Sequence, residues 1–461
     1  MPFTRRDFLR STACAAVGTT SIVRTLFDLG NIEAAAATLP PLRHRGRVAG
    51  DYKALVCVFL YGGNDSNNLL VPRTGADYAG YVAGRGSLAL PAASLLPITP
   101  LTGDGRNWGL HPSLTGLQGL FAQHRMALLA NVGPLVAPLT RDQFLNGTVA
   151  APPQLFSHSD QQVHWQTSIP DQPPRTGWGG RTADLLRTLN SSNQVSMSMS
   201  LAGSNVLQVG DLVTQYQISP DGTLGLEGFT EGPDADPVSR AIRGLLSTST
   251  GNLLVDAAAG VTQRALDNNL LLQGALSGAP TLTTVFPDTD LGRQLSMTAR
   301  LIAVRGALGL SRQVFFCAAD GYDTHGDQLP AQADLLADLS AGLTAFYNAT
   351  VELGIAANVT TFTASDFGRT FPGNGGGSDH GWGSHQLVIG GAVHGGDLYG
   401  RIPTLVEDGP DDSGQGRWIP TTSVDEYSAT LARWFGVGNA DMGTIFPNLS
   451  RFGTPNLGFM G

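Results

Sequence analysis

Lysine is almost missing from this chain. Lys53 is the only one in 461 residues, so nearly every cation is an arginine. That removes a lysine Schiff base and any Gly-Lys-Ser/Thr phosphate loop from the chemistry on offer. Cysteine is nearly as scarce: Cys14, Cys57 and Cys317 are the whole set, and the last two lie inside apolar runs. Two such residues cannot make a disulfide scaffold. Buried free thiols are expected, or a single bridge if their strands are neighbours. Past residue 37 no run of 18 apolar residues occurs, so the mature chain is not expected to be an integral membrane protein. Positive charge is also short, with 28 basic against 37 acidic residues, a net charge of −9 and no basic run. That balance argues against nucleic acid as a partner.

The N-terminus carries Thr4-Arg5-Arg6-Asp7-Phe8-Leu9-Arg10, a mild apolar run from Ser11 to Val23, and Ala34 to Ala37 as a cleavage region. This is the layout of a twin-arginine export signal over residues 1–37. It predicts the twin-arginine translocase as a transient partner and a periplasmic or secreted destination.

Residues 38–461 are read as a single α/β domain. Ala54–Tyr61 (ALVCVFLY) is a continuous apolar run of strand length, the pattern of a strand buried on both faces. Similar runs fall at Met126–Val132, Val314–Ala319, Val359–Ala364 and Leu387–Ile389. Helical patterns alternate with them at Thr182–Leu189, Leu291–Leu310, Gln328–Leu353 and Val424–Phe435. In the third of these Leu335, Leu336, Leu339, Leu343 and Phe346 share one face. Strands alternating with helices predict a mostly parallel sheet covered on both faces. Residues 196–228 alternate and are rich in turn formers, which predicts a small antiparallel insertion or cap. Gly373–Gly377 reads as a mobile loop beside the site, and Asp408–Gly416 as a turn-rich surface loop.

The chemistry-bearing residues gather where strands should end, which is where open α/β sheets place their sites. Asp65 follows the first strand in Gly62-Gly63-Asn64-Asp65-Ser66; it is a metal carboxylate or an Asx turn. Asp320, Asp323 and His325 follow the Val314–Ala319 run. Asp366 ends another strand, and Arg369 three residues on can receive a phosphate or sulfate group bidentately, or form a structural ion pair. Asp379–His385 brings His380 and His385. Carboxylates and imidazoles of this kind hold hydrolytic divalent metals. Leu155–Gln162 (LFSHSDQQ) reads as a helix start, with Ser157 or Ser159 as the N-cap or, with the helix amides stabilising an anion, as a nucleophile. A Ser-His-Asp triad is a rival reading of Ser159, but the chain has no Gly-x-Ser-x-Gly elbow there.

The twin-arginine start, FLYGGNDSNN, LFSHSDQQ with the later GWGGR, DGYDTHGDQ, SDFGRT, NGGGSDHGWGSHQLVIGG and GGDLYGRIP together resemble the exported bacterial family known as domain of unknown function 1501. That family is similar to the alkaline phosphatase and sulfatase superfamily. The resemblance implies an alkaline-phosphatase-like sheet with one or two divalent ions, such as zinc, manganese or calcium. It implies an exported hydrolase whose partner is a small anionic phosphate or sulfate ester, or a cell-envelope component. Carried over, Asp65 and Asp366 bind one metal. Asp320 or Asp323 with His325 binds the other, helped by His380 or His385, and Ser159 or Ser157 is the nucleophile. The pattern departs from the superfamily where Phe367 stands in place of an expected histidine and where Asp320 and His325 have four residues between them. Those departures motivate the alternative of a non-catalytic binding or assembly protein on the same fold.

Overall fold

The apolar stretch after Tyr52 forms the strand at the middle of the molecule. Every residue of it from Ala54 to Leu60 is buried, as a strand covered on both faces requires. The computed structural model describes residues 51–222, 229–231 and 235–461. The export signal read at 1–37 lies outside these, as do residues 223–228 of the expected insertion.

In chain order the strands are β1 (Lys53–Leu60), β2 (Leu70–Pro72), β3 (Leu96–Ile98), β4 (Trp108–Leu110), β5 (Met126–Gly133), β6 (Ser198–Ser200) and β7 (Tyr216–Gln217). There follow β8 (Arg312–Ala319), β9 (Val359–Ser365), β10 (Ser384–Gly390), β11 (Leu398–Tyr399) and β12 (Thr422–Ser423). Nine of them make one sheet in the order β11-β5-β10-β9-β1-β8-β6-β7, with β12 beside β5. All pairings in it are parallel except those of β10. The five apolar runs of the sequence are β1, β5, β8, β9 and β10; β1 is shifted by one residue toward the N-terminus, and the other four are extended by one to four residues. Helices surround this sheet, and one apolar core runs continuously through it.

A small antiparallel sheet is present, but it is β2-β4-β3, in residues 70–110. The stretch expected to supply it behaves differently: β6 pairs with β8 and β7 with β6, both in parallel, so residues 198–217 extend the large sheet. Strands of two or three residues are too short for alternation to reveal which way they pair.

Register explains why one edge becomes special. Leu60 of β1 is level with Ala319 of β8 and Ser365 of β9. The three segments that follow, each rich in acids and polar groups, therefore leave the sheet side by side. Because β10 runs the other way against β9, its beginning lies at that same edge. The loop before it, with Asp379 and His380, joins the other three. The helix His158–Thr167 packs over β9 and starts at this edge as well.

Candidate functional site

Three imidazoles converge on one carboxylate. Asp323 Oδ1 lies 3.0 Å from His325 Nε2 and 3.3 Å from His380 Nε2, and its Oδ2 lies 3.4 Å from His158 Nε2. His325 Nε2 and His380 Nε2 are 3.0 Å apart. Ligating atoms of His158, Asp323 and His380 all fall within 4.8 Å of one another.

The outer nitrogen of each ring has its own acceptor. His158 Nδ1 meets Asp366 Oδ2 at 2.7 Å, His380 Nδ1 meets the Phe156 carbonyl oxygen at 2.8 Å, and His325 Nδ1 faces Asp379 Oδ1 at 3.3 Å. The Phe156 carbonyl can only accept, so His380 Nδ1 carries a proton and the neutral ring turns its Nε2 lone pair inward; His158 and His325 face a carboxylate from both nitrogens, and with the proton on Nδ1 they do the same. Two inward lone pairs 3.0 Å apart, beside a carboxylate, are stable only with a proton or a cation between them. Four donors in a tetrahedral zinc site, with bonds of about 2.0–2.2 Å, stand roughly 3.3 Å apart. The separations around Asp323, 3.0 to 3.4 Å, are near that spacing; His158, Asp323 and His380 form the mutually close group, and His325 stands beside its Asp323 and His380 members. The residues therefore fit a divalent ion, and imidazole donors favour zinc over manganese or calcium, which prefer oxygen.

The surroundings hold these charges in place. Asp366 is fully buried; its Oδ2 also accepts from Gln162 Nε2 (2.9 Å) and the Gly62 amide (3.2 Å), while its Oδ1 has no partner among the described residues. Gln162 lies one helical turn after His158, so both reach Asp366 from the same face. The hydrogen bond that His158 donates to Asp366 raises its pKa against the opposing effect of burial. Burial acts to raise the Asp323 carboxyl, but the hydrogen bond and charge of Arg369, with His325 and His158, hold it below the usual range. Burial lowers His380, with His158 and Arg369 adding to it. Phe367 forms the floor, its ring 4.6 Å from that of His380 and 4.8 Å from that of His158. Gly63 passes directly over this floor, and a Cβ there would sit 2.5 Å from the Phe367 ring. Phe156 adopts φ +70, an uncommon conformation for a residue with a side chain, and its carbonyl is the one that anchors His380.

Several expected residues are placed elsewhere. Asp65 is buried in an ion pair with Arg85 and accepts from Gln328 Nε2 and the Asn67 amide (3.0 Å), so its oxygens face protein donors. His385 lies within β10, where its Nδ1 accepts from the Asn131 amide (2.9 Å) and burial lowers its pKa to about 4. Asp320 is exposed at the end of β8, with no hydrogen bond among the described contacts. Ser157 stands at the N-cap position but caps nothing; its hydroxyl donates to Asp160 (2.5 Å) and lies 3.3 Å from that of Ser159. Neither hydroxyl touches the imidazole grouping among the described contacts. Arg369 is buried, and its Nη groups are engaged by Asp323 (2.6 Å), the Gly62 carbonyl (3.1 Å) and the Ser378 carbonyl. Of its two readings, the ion pair is the one observed. The glycine loop at 373–377 is tied down: Gly376 and Gly377 donate to Asn374 Oδ1, and the Gln328 amide donates to the Gly376 carbonyl. A Cβ on Gly377 would sit 2.2 Å from the Thr324 carbonyl oxygen. Sequence reasoning overlooked His158, Gln162 and Asp379. His158 stands between the two serines that drew attention, and only the phase of its helix over β9 turns it inward.

Residues 52–414 match the family model described as protein of unknown function, DUF1501. The chain belongs to that family. No curated protein matches it. Among solved structures, the PsFucS1 sulfatase of Pseudoalteromonas sp. aligns at 11% identity and TM-score 0.34, over 84% of this chain and 68% of that one. A protein of the alkaline phosphatase superfamily from Vibrio parahaemolyticus aligns at 10% identity and TM-score 0.33, over 90% and 75%. Likeness at that level decides neither activity nor site for this DUF1501 protein. The site rests on its own geometry.

Proposed function

We propose that this DUF1501 protein is an exported metal-dependent hydrolase of phosphate or sulfate esters. One observation carries the reading: three imidazoles, each with Nδ1 anchored, turn their Nε2 atoms toward Asp323 at the open edge of the sheet. His158, His380 and Asp323 would hold a divalent ion, zinc by their chemistry, with His325 Nε2 beside Asp323 and His380. Such an ion supplies a polarised ester oxygen and a more acidic bound water. Asp366 keeps His158 oriented, and Arg369 keeps Asp323 ionised. With both serine hydroxyls directed at Asp160 and each other, the attacking oxygen in this reading is water. The twin-arginine layout of residues 1–37 supports export.

The deciding experiment is elemental mass spectrometry of protein recovered after native export, beside His380→Ala, followed by a panel of phosphate and sulfate esters. About one equivalent of metal, lost together with turnover in the variant, is the expected result. A wild type free of metal, or a variant retaining metal and turnover, would sink the proposal. The engaged serines favour one alternative, a metal-bearing binding protein of the envelope, which would bind metal and turn over none of the esters.

A further inference from the structure

Both Arg369 Nη atoms are engaged by protein oxygens, so this buried guanidinium offers a substrate oxyanion no open fork. One guanidinium beside it does. Arg417 donates from Nε to the His380 carbonyl (2.9 Å) and lies 4.3 Å from the centroid of the Phe156 ring. It thus touches His380 itself and the residue whose carbonyl anchors the His380 ring. Among the described contacts its Nη1 and Nη2 have no hydrogen-bond partner, and the residue is only half-buried.

Its backbone is held firmly. The Arg417 amide donates to Asp412 Oδ1 (2.9 Å), and its carbonyl accepts from both the amide and the hydroxyl of Ser413 (2.9 Å each). Asp412 is fully buried and also accepts from the Gly414 and Asp408 amides. The turn-rich segment Asp408–Gly416 is therefore a rigid mount. Asp379 and Asp412 are the carboxylates whose charge acts on the guanidinium; Asp412 is directed at backbone amides, and Asp379 at His325 and Asn374.

We propose that Arg417 is the specificity-determining residue of this site, receiving the charged oxygens of the phosphate or sulfate group through its two free Nη groups. This rests on the hydrolase reading above. A planar guanidinium stacked on an aromatic ring, with Nε fixed, presents a fork suited to two oxyanion oxygens. The positive φ of Phe156 fits the same picture, since one strained residue sets both the ring under Arg417 and the carbonyl behind His380.

The test measures inorganic phosphate and sulfate binding by calorimetry to the metal-bearing wild type, Arg417→Met, Arg417→Gln and Arg417→Lys, with metal content of each. The Met and Gln variants should weaken binding by about tenfold or more, and Lys should recover part of it, keeping the charge without the fork. Metal content should be unchanged in all three. Variants that bind phosphate and sulfate as the wild type does would overturn the assignment and leave the hydrolase reading standing. Loss of metal along with anion affinity would also overturn it, because Arg417 would then only support His380. A metal-bearing wild type that binds neither anion refutes the role of Arg417, whereas a wild type without metal refutes the hydrolase reading itself.

Discussion

A histidine is informative here through the nitrogen that faces away from the centre. Asp366 illustrates this: buried, holding His158 Nδ1 at 2.7 Å, and making no direct claim on the inward cluster. Carboxylates in that position commonly change metal affinity by 10–100-fold when removed. Asp366→Ala should lower metal affinity by about that factor, measured against a competing chelator; unchanged affinity would mean that His158 is not a ligand. The sequence offered Asp366 as a metal ligand, whereas the structure sets it on the outer nitrogen of His158, 208 positions upstream. The cysteines show a similar limit. Cys57 is level with Phe316, and Cys317 with Val58, so the two thiols point to opposite faces of adjacent strands. Neighbouring strands were one condition for a bridge; facing was the other, and periodicity alone does not supply it. Both thiols should react with a colorimetric reagent only after denaturation.

At the scale of elements, apolar runs proved legible because burial on both faces leaves a continuous signature. β1, β5, β8, β9 and β10 were all visible in this way, and so was the helix Gln328–Glu352 with its inward Leu336, Leu339, Leu343 and Phe346. The helix Leu253–Ser277 was not. Leu253 and Leu254 are almost fully exposed, so its apolar residues form no single stripe for a sequence pattern to reveal. Asp65 failed as a ligand for a reason of the same scale. The helix Gly75–Arg85 brings Arg85 back onto it, and the helix Gln328–Glu352 adds Gln328. These elements hold the acid as a structural ion pair at the root of the first loop. Removing one partner of a buried pair leaves the other uncompensated, at a cost of about 3–5 kcal/mol. Arg85→Met should therefore lower stability by about that much in urea unfolding. Metal content measured under native conditions should be intact, and a drop in it would return Asp65 to the metal site.

For the molecule as a whole, pH and metal should act through separate places. Burial pushes the Asp425 carboxyl up to about 7, despite the opposing charge of Arg181. The folded state therefore favours its neutral form, and the unfolded chain binds that proton only at ordinary carboxylate pH. The sign follows from linkage: this contribution is complete below about pH 4, is lost as pH rises toward 7, and is level beyond. It amounts to a few kcal/mol, at about 1.4 kcal/mol per unit. Asp425→Asn should flatten the slope of stability against pH in that window, and an unaltered slope would place the titration elsewhere. Metal removal is the second lever. An ion that binds only the folded state at a hundredfold excess over its Kd adds about 2.7 kcal/mol, so a chelator should lower the Tm of the wild type and leave that of His380→Ala unmoved.

The reversed strand β10 has a consequence beyond placing a loop. It brings the segment at 380 against those at 158 and 323, which the covalent chain keeps far apart, and among the described residues no disulfide ties them together. An ion seated there would act as a rivet through three separate lengths of polypeptide. Extracting it should make the stretch from Asn374 to Gly383 the first to be cut by a protease, well before the sheet beneath comes apart.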